Sequence, residues 1–314
     1  MKFRYLSLLA VLFSLGLLNA CGGGGDGGAT PPPAATLTAD NGQIAADAAM
    51  DAIDSSDTSN SLSVIGAVES SSGGKYGLMA LTGDVLNSTT APSSVPSVQG
   101  VVEQGVCDNE PDGYADITVN GQNDGSIYFS NCLLTDVYLN GGASVYLSSD
   151  TATSTTGSMT FNNLRASDAT GVLFTINGSL NFTETSTSMT ISGNYLSVSM
   201  GTDTMAMYNF NIYTSSSGTV DTTIIYSLTV SSDLMGGSIS VSTSSPILQN
   251  VSDPYPYDGV LVLTGANNSK VRMTAMGSGL PTGLVQIDYD VDGTPGYETT
   301  EVLTWEELDA VGGN

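Results

Sequence analysis

Apolar side chains recur at every second position through most of this chain, with Ser, Thr and Asn between them. Val172, Phe174 and Ile176 alternate in this way, as do Leu196, Val198 and Met200. Tyr208, Phe210 and Ile212 follow the same rule, and so do Ile224, Tyr226, Leu228 and Val230. Met159 and Phe161 share a face in the same manner. A period of two sends successive side chains to opposite faces of a strand. One apolar face and one wet face is the pattern of an antiparallel sheet with its core on one side. Such runs start near Ser61 and recur roughly every 8–12 residues between turn signals. They keep no fixed period, which disfavours a solenoid. The expected fold is all-β: an antiparallel meander of about 14–18 strands that curls into an open barrel or splits into a sandwich.

Punctuation supports this reading. Asn120-Gly121, Asn140-Gly141 and Asn177-Gly178 are Asn-Gly pairs, whose tolerance of positive φ suits tight hairpin turns. On that basis residues 172–182 are predicted to form a hairpin closed at Asn177-Gly178. Leu261, Val262 and Leu263 are consecutive, so this strand is expected to be covered on both sides. Residues 40–54 are the helical candidate of the N-terminal part, capped by Asp40 or Asn41, with Ile44, Ala48, Ala52 and Ile53 on one stripe. Its face is mostly Ala, so it must dock to persist. At the other end, Thr304-Trp305-Glu306-Glu307 is a capping box before a short C-terminal helix. Trp305 is the one tryptophan of the chain and is expected to plug the sheet end. Asp253-Pro254-Tyr255-Pro256-Tyr257 reads as a rigid aromatic turn.

Composition narrows function by exclusion. The 314 residues contain no histidine. Ser-His-Asp and Cys-His sites and imidazole-ligated zinc are therefore ruled out, together with the usual general base near neutral pH. No other catalytic constellation stands out, and the chain is expected not to be an enzyme. Six basic residues face 31 acidic ones, a net charge of −25. That balance repels a phosphate backbone, so nucleic-acid binding is not expected. Only 12% of the residues are charged, so the polar surface must be built mainly from hydroxyls and amides.

Lys2 and Arg4 precede an uncharged stretch over residues 5–20 that ends in Ala20, directly before Cys21. A charged n-region, an apolar h-region and a small residue at the cut site make a signal peptide. With Cys next in line, the segment resembles a bacterial lipobox, in which the signal is cleaved and the Cys lipidated. That resemblance implies an outer-membrane lipoprotein anchored by acyl chains on Cys21, with Gly22 rather than Asp after the Cys favouring the outer membrane. Cleavage leaves four of the six basic residues against all 31 acidic ones, a net charge of −27. The expected division is 1–20 signal peptide, 21–36 lipidated Cys and Gly/Pro-rich tether, and 37–314 β-rich body. Within the body, 37–105 holds the helix and first strands and 106–314 the main sheet. The tether would hold the body roughly 20 Å from the bilayer. The Cys followed by four glycines resembles the anchor of neisserial surface lipoproteins. A membrane-spanning barrel is disfavoured, since its outer face needs an apolar band between aromatic girdles.

In an exported chain, Cys107 and Cys132 read as a disulfide. Two acidic clusters are calcium candidates. Asp288, Asp290 and Asp292 followed by Gly293 spell D-x-D-x-D-G, the opening of a calcium loop. The twelfth position, where a bidentate Glu is usual, is Thr299, with Glu298 one place early. On a plain strand these aspartates would sit about 7 Å apart on the wet face. Asp108, Glu110, Asp112, Gly113 and Asp116 resemble the loop of calcium-binding propeller repeats. The alternative for both is a solvated acidic turn.

Residues 255–308 also resemble the ends of uncharacterised gammaproteobacterial β-rich lipoproteins, through Pro254-Tyr255-Pro256, Gly265-Ala266-Asn267-Asn268-Ser269, Asp290-Val291-Asp292-Gly293 and the Thr304-Trp305 end. The resemblance implies a location and no activity. The functional expectation is a non-catalytic envelope lipoprotein with a binding or structural role and a protein or glycan partner. A calcium-stabilised adhesin or receptor is one alternative. A carrier of apolar ligands, suggested by 11 methionines, is another. Few lysines guard the sheet edges, which leaves self-association open.

Overall fold

The computed structural model describes residues 29–54, 68–69, 75–76, 101–102, 107–109, 112–119, 124–134, 137–151, 153–169, 171–200 and 203–312. A two-stranded ribbon pairs β1 (Val68–Glu69) with β2 (Lys75–Tyr76). All other described strands form a single 14-stranded antiparallel sheet in strict chain order. It runs from β3 (Val101–Val102) and β4 (Tyr114–Val119) into the long strands β5 (Asp124–Leu134), β6 (Val137–Asp150), β7 (Ser154–Asp168) and β8 (Gly171–Thr185). The long strands continue with β9 (Ser188–Met200), β10 (Asp203–Ser216), β11 (Val220–Ser232) and β12 (Gly237–Asn250). Shorter strands follow: β13 (Asp258–Thr264), β14 (Lys270–Met276), β15 (Leu284–Asp290) and β16 (Thr299–Thr304). Every strand pairs with its chain neighbours, and β3 and β16 are the two edges. The expected all-β meander is therefore the fold, as an open sheet compatible with a half-open barrel or a sandwich.

One apolar cluster joins the inward face from β4 to β15 with both helices. Helix α1 (Ala39–Asp54) lies against β11, β14 and β15 and against α2 (Trp305–Gly312). Its Ala45, Ala46, Ala49 and Ala52 are fully buried, so small side chains let the helix sink close to the sheet. At Gly42 a Cβ would run into the Tyr289 ring and Val271, which explains a glycine in the first turn. The helix starts one residue before the predicted span, and Thr38 caps it. Thr38 Oγ1 accepts the Asn41 N–H (3.4 Å), and Asn41 Oδ1 accepts the Thr38 N–H (2.8 Å). This is a capping box with Asn in the third position, and Asn41 is its distal half instead of the cap.

The end of the expected tether belongs to the body. Ala35 N–H donates to Ser238 O, Ser238 N–H to Pro33 O, and Ala266 N–H to Ala35 O. Ser238 Oγ donates to Pro32 O (2.7 Å), and Ser269 Oγ accepts the Leu37 N–H (2.9 Å). Residues 32–37 thus form a strap clamped between the start of β12 and the loop before β14, with Leu37 buried. Gly237 and Gly265 make room: a Cβ on either would strike the strap backbone. The compact body begins near residue 32, earlier than the expected boundary at 37, because prolines still supply carbonyl acceptors.

The Asn-Gly expectation fails informatively. Asn140-Gly141 and Asn177-Gly178 lie inside β6 and β8, and residues 172–182 run through one continuous strand. Asn120-Gly121 lies outside the described residues. The positive φ is used at β-bulges instead of turns: Asn131 (φ 50), Asn163 (φ 47) and Asn209 (φ 48), with Gly141 (φ 94) and Gly178 (φ 119) on the strands between. These irregularities stand side by side. Asn131 N–H donates to Asn140 Oδ1 and Asn163 N–H to Asn177 Oδ1, both at 2.8 Å. On later strands the line passes Tyr195, which pairs with Tyr208, and Ser227, whose Oγ donates to Asn209 O (2.9 Å). The result is a seam crossing the sheet from β5 to β11.

Each bulge adds a residue and shifts the pleat by one. In β7, Met159 and Phe161 point inward before the seam and Leu164 and Ala166 after it. In β11, Ile225 and Leu228 are buried and Tyr226 is 63% exposed, so the predicted alternation through Ile224 and Tyr226 is one residue out of phase. Val172 is likewise exposed despite its alternation with Phe174. The bulges keep one apolar face on a strand too long and bent for an unbroken pleat. In β13, Leu261 and Leu263 are buried and Val262 is half-buried, so this strand packs on one face, contrary to the expected double cover.

Candidate functional site

The C-terminal acidic motif spans β15 and the turn to β16, and the structure divides its aspartates. Asp288 is 2% exposed and fully engaged. Its Oδ2 accepts Arg272 Nε (2.9 Å) and Nη2 (2.7 Å), its Oδ1 accepts Thr300 Oγ1 (2.6 Å), and Gln286 Nε2 donates to both oxygens. Register explains the grouping: Arg272 and Thr300 are the cross-strand partners of Asp288 on β14 and β16. Burial acts to raise the carboxyl pKa, but the hydrogen bonds from Thr300, Arg272 and Gln286 prevail and hold it below the ordinary value. Arg272 also lies over the Tyr297 ring, 4.3 Å from its centre.

Asp290 and Asp292 instead meet Glu298 across the turn, with one ligand oxygen of each within 4.8 Å of the others. Each also serves the turn itself. Asp290 Oδ1 accepts the Gly293 N–H (2.8 Å), Asp292 Oδ1 the Thr294 N–H (2.8 Å), and Glu298 Oε2 the Val291 N–H (3.0 Å). The Asp292 carboxyl is held below its ordinary value, first by the Thr294 hydroxyl and then by the Thr294 N–H. Three converging carboxylates are chemistry suited to a hard cation such as calcium. The spacing pointed to Asp288 as the first member; the fold puts Glu298 in its place. Its one-residue offset from position 12 was the available signal.

The other cluster is organised by an asparagine that its acidic spacing hid. Asn109 Nδ2 donates to Asn131 O and Asn109 Oδ1 accepts the Leu133 N–H, both at 2.9 Å. Asp108 N–H donates to Leu133 O. The turn after Cys107 is thereby pinned to the first bulge of the seam. Beside it Cys107 and Cys132 are joined, with Cα atoms 5.1 Å apart. Asp108 and Asp112 are exposed, and Asp116 is half-buried on β4. Among the described residues, one trio of metal-ligating side chains converges, and it is the C-terminal one.

The remaining predicted features are structural. Trp305 is 1% exposed and stacks on Tyr255, ring centres 5.4 Å apart and planes 2° from parallel. Tyr255 OH donates to Asp309, which ties the aromatic turn to α2. The capping box is present: Glu307 N–H donates to Thr304 Oγ1 (3.2 Å) and Thr304 N–H to Glu307 Oε2 (2.8 Å). Met159, Met189, Met207, Met235 and Met273 are buried in the core. Tyr289, facing α1, donates to Glu301 Oε2 (3.2 Å), which also accepts Gln43 Nε2 (2.8 Å). Burial first, then the Glu301 charge, pushes the Tyr289 phenol far above its ordinary pKa. Cys21 lies outside the described residues, and among those described no helix is long and apolar enough to cross a membrane. No protein-family model, no curated protein and no solved structure matches the chain.

Proposed function

We propose that this chain is a non-catalytic lipoprotein of the outer membrane, anchored by acyl groups on Cys21, whose sheet body serves a binding role. The observation that carries the reading is the strap. A tether that bears load needs a firm attachment, and residues 32–37 are clamped by main-chain and side-chain hydrogen bonds to both Ser238 and Ser269. Tension from Cys21 would enter at β12 and the loop before β14, inside the sheet, instead of at its edge strand β16. The leader with Lys2 and Arg4, the apolar run and Ala20-Cys21 supplies the export and lipidation signal.

The test is Cys21→Ser expressed in a Gram-negative host. The unchanged chain is expected to sediment with outer membranes and to carry acyl mass on its N-terminal peptide. The variant is expected to lose both. Equal sedimentation of the two, with no acyl mass on the unchanged chain, would sink the proposal.

A second reading, a calcium-stabilised surface receptor, is favoured by the convergence of Asp290, Asp292 and Glu298. Their mutual repulsion would be relieved by a divalent cation, so millimolar calcium should raise the melting temperature relative to chelator. Asp292→Asn should abolish that rise. Identical melting with calcium and with chelator would discard this reading.

A further inference from the structure

The inward face turns polar where the apolar stripe of β10 and β11 ends. Toward the turn between these strands, the buried side chains of β10 run Phe210, Ile212, Thr214 and those of β11 run Ile225, Thr223, Asp221. Ile212 pairs with Ile225, Thr214 with Thr223 and Ser216 with Asp221. The last two rows therefore carry hydroxyls and a carboxylate where the core would continue with aliphatic groups. A strand end that merely reaches water is exposed, as the turn residues Ser217, Gly218 and Thr219 are. Thr214, Asp221 and Thr223 are not: they are 3%, 5% and 8% exposed.

Two of these groups have no partner in the protein. Asp221 Oδ1 and Thr214 Oγ1 are buried without a hydrogen bond, to each other or to any other residue. The flanking side chains are spent elsewhere. Ser216 and Gln249 are the cross-strand neighbours of Asp221. Ser216 Oγ accepts the Gly218 N–H (3.2 Å), and Gln249 Nε2 donates to Asp253 O (2.9 Å). The basic side chains that the structure describes are Arg165, Lys270 and Arg272. They alternate with buried residues of their strands and so lie on the outward face, away from Asp221. Native folds leave few buried polar atoms unpaired, and an unpaired buried charge is the costliest kind.

The oxygens define the guest. It must engage a carboxylate and a hydroxyl that do not bond each other, and it must offset one negative charge. A water or a sugar hydroxyl would meet the first demand and leave the charge. A hard metal ion meets both, since it draws on the lone pairs of carboxylate and hydroxyl oxygens alike. We propose that Asp221 and Thr214, with Thr223 beside them, hold one hard metal cation on the inward face beneath the β10–β11 turn. The exposed turn begins two residues from Asp221 and gives the ion a way in. With a single carboxylate, this site is distinct from the three-carboxylate cluster of the β15–β16 turn. It rests neither on that cluster nor on lipidation at Cys21.

The test melts the full chain in detergent in sodium, potassium or calcium chloride, each against choline chloride at matched ionic strength. Methylammonium chloride serves as the organic cation. Two near-isosteric variants, Asp221→Asn and Thr214→Val, are compared with the unchanged chain. At least one metal ion is expected to raise the melting temperature of the unchanged chain by about 2 °C or more over choline. The rise should vanish in Asp221→Asn and shrink in Thr214→Val. In choline both variants should melt no lower than the unchanged chain, because each removes a buried group that has no partner. A purely structural role for these residues predicts the reverse. Melting in every metal salt equal to that in choline overturns the site, as does a rise given by methylammonium alone. So does a rise that both variants keep, including a calcium rise that only Asp292→Asn removes, and so do variants that melt below the unchanged chain in choline. If Asp221→Asn fails to fold, an undiminished metal response in Thr214→Val overturns the site by itself.

Discussion

The long strands β5–β11 and the short strands β13–β16 are two halves of one sheet built by different means. In the first half, order is carried by the backbone. Positive-φ residues at Asn131, Asn163 and Asn209 line up across the strands. In the second half, order is carried by side chains. The Arg272–Asp288 pair with Thr300 and Gln286, the Tyr255–Trp305 stack and the capping box each tie one strand or helix to the next. The difference teaches that a sheet can be curved in two ways: by adding residues to strands, or by keeping strands short and packing helices on the end.

If that contrast is right, single side-chain truncations should hurt the second half most. Trp305→Ala should cost about 3–5 kcal/mol by denaturant unfolding, since it empties a fully buried site between Tyr255 and the core. Trp305→Phe should recover a large part, because the indole N–H has no hydrogen-bond partner to lose. In the first half the covalent link should matter alongside the buried side chains. Cys132→Ser opens a loop of 25 residues and should cost about 3 kcal/mol, an effect that reducing agent reproduces in the unchanged protein. Gly178→Ala forces a Cβ against the Tyr195 carbonyl at φ 119 and should cost about 1–3 kcal/mol. Were β8 to turn at this pair, the clash with the Tyr195 carbonyl would vanish and only the positive-φ strain of about 1 kcal/mol would remain.

Smaller effects sharpen the electrostatic side. The Asp288 carboxyl is depressed in the fold, so it contributes stability above the unfolded value near 4 and loses it as pH falls through the folded value. Arg272→Met removes two of the hydrogen bonds, and the positive charge, that depress it. The variant should be less stable by about 1–3 kcal/mol at pH 7, and its stability should fall less steeply as pH drops below the unfolded value near 4 than that of the unchanged chain. Parallel curves would show that Arg272 does not set the Asp288 titration. Thr304→Ala should cost about 1 kcal/mol through loss of the helix cap, with melting of α2 followed by far-ultraviolet circular dichroism.

The second half was largely readable in the sequence because its devices are local. Thr304 and Glu307 sit three residues apart, and Trp305 is a large side chain that must find cover. Glu298 was missed as the third carboxylate because strand register, not spacing, carries it to Asp290 and Asp292. In the first half the alternation was readable, and so was the disulfide. The role of Asn177-Gly178 was not, since a hairpin turn and a bulge make the same demand for positive φ. What decides between them is whether the chain beyond the pair meets its own preceding residues or a neighbouring strand. Phe182 pairs with Gly157 of β7, a long-range fact. The same bulges put Ile225 inward and Tyr226 outward, one step from the simple alternation. The strap hid for a related reason: a Pro-rich stretch looks like a linker until Ser238 and Ser269 reach it.

The claim from which the seam follows is that β8 passes unbroken through Asn177-Gly178. Amide hydrogen exchange on the intact protein tests it directly. Slow exchange is expected on both sides of the pair, at Ile176 and Leu180 together with their partners on β7 and β9, at the level of the surrounding core. Fast exchange centred on residues 177–178, with protection falling away from β9, would mean a hairpin turn there and would contradict the account.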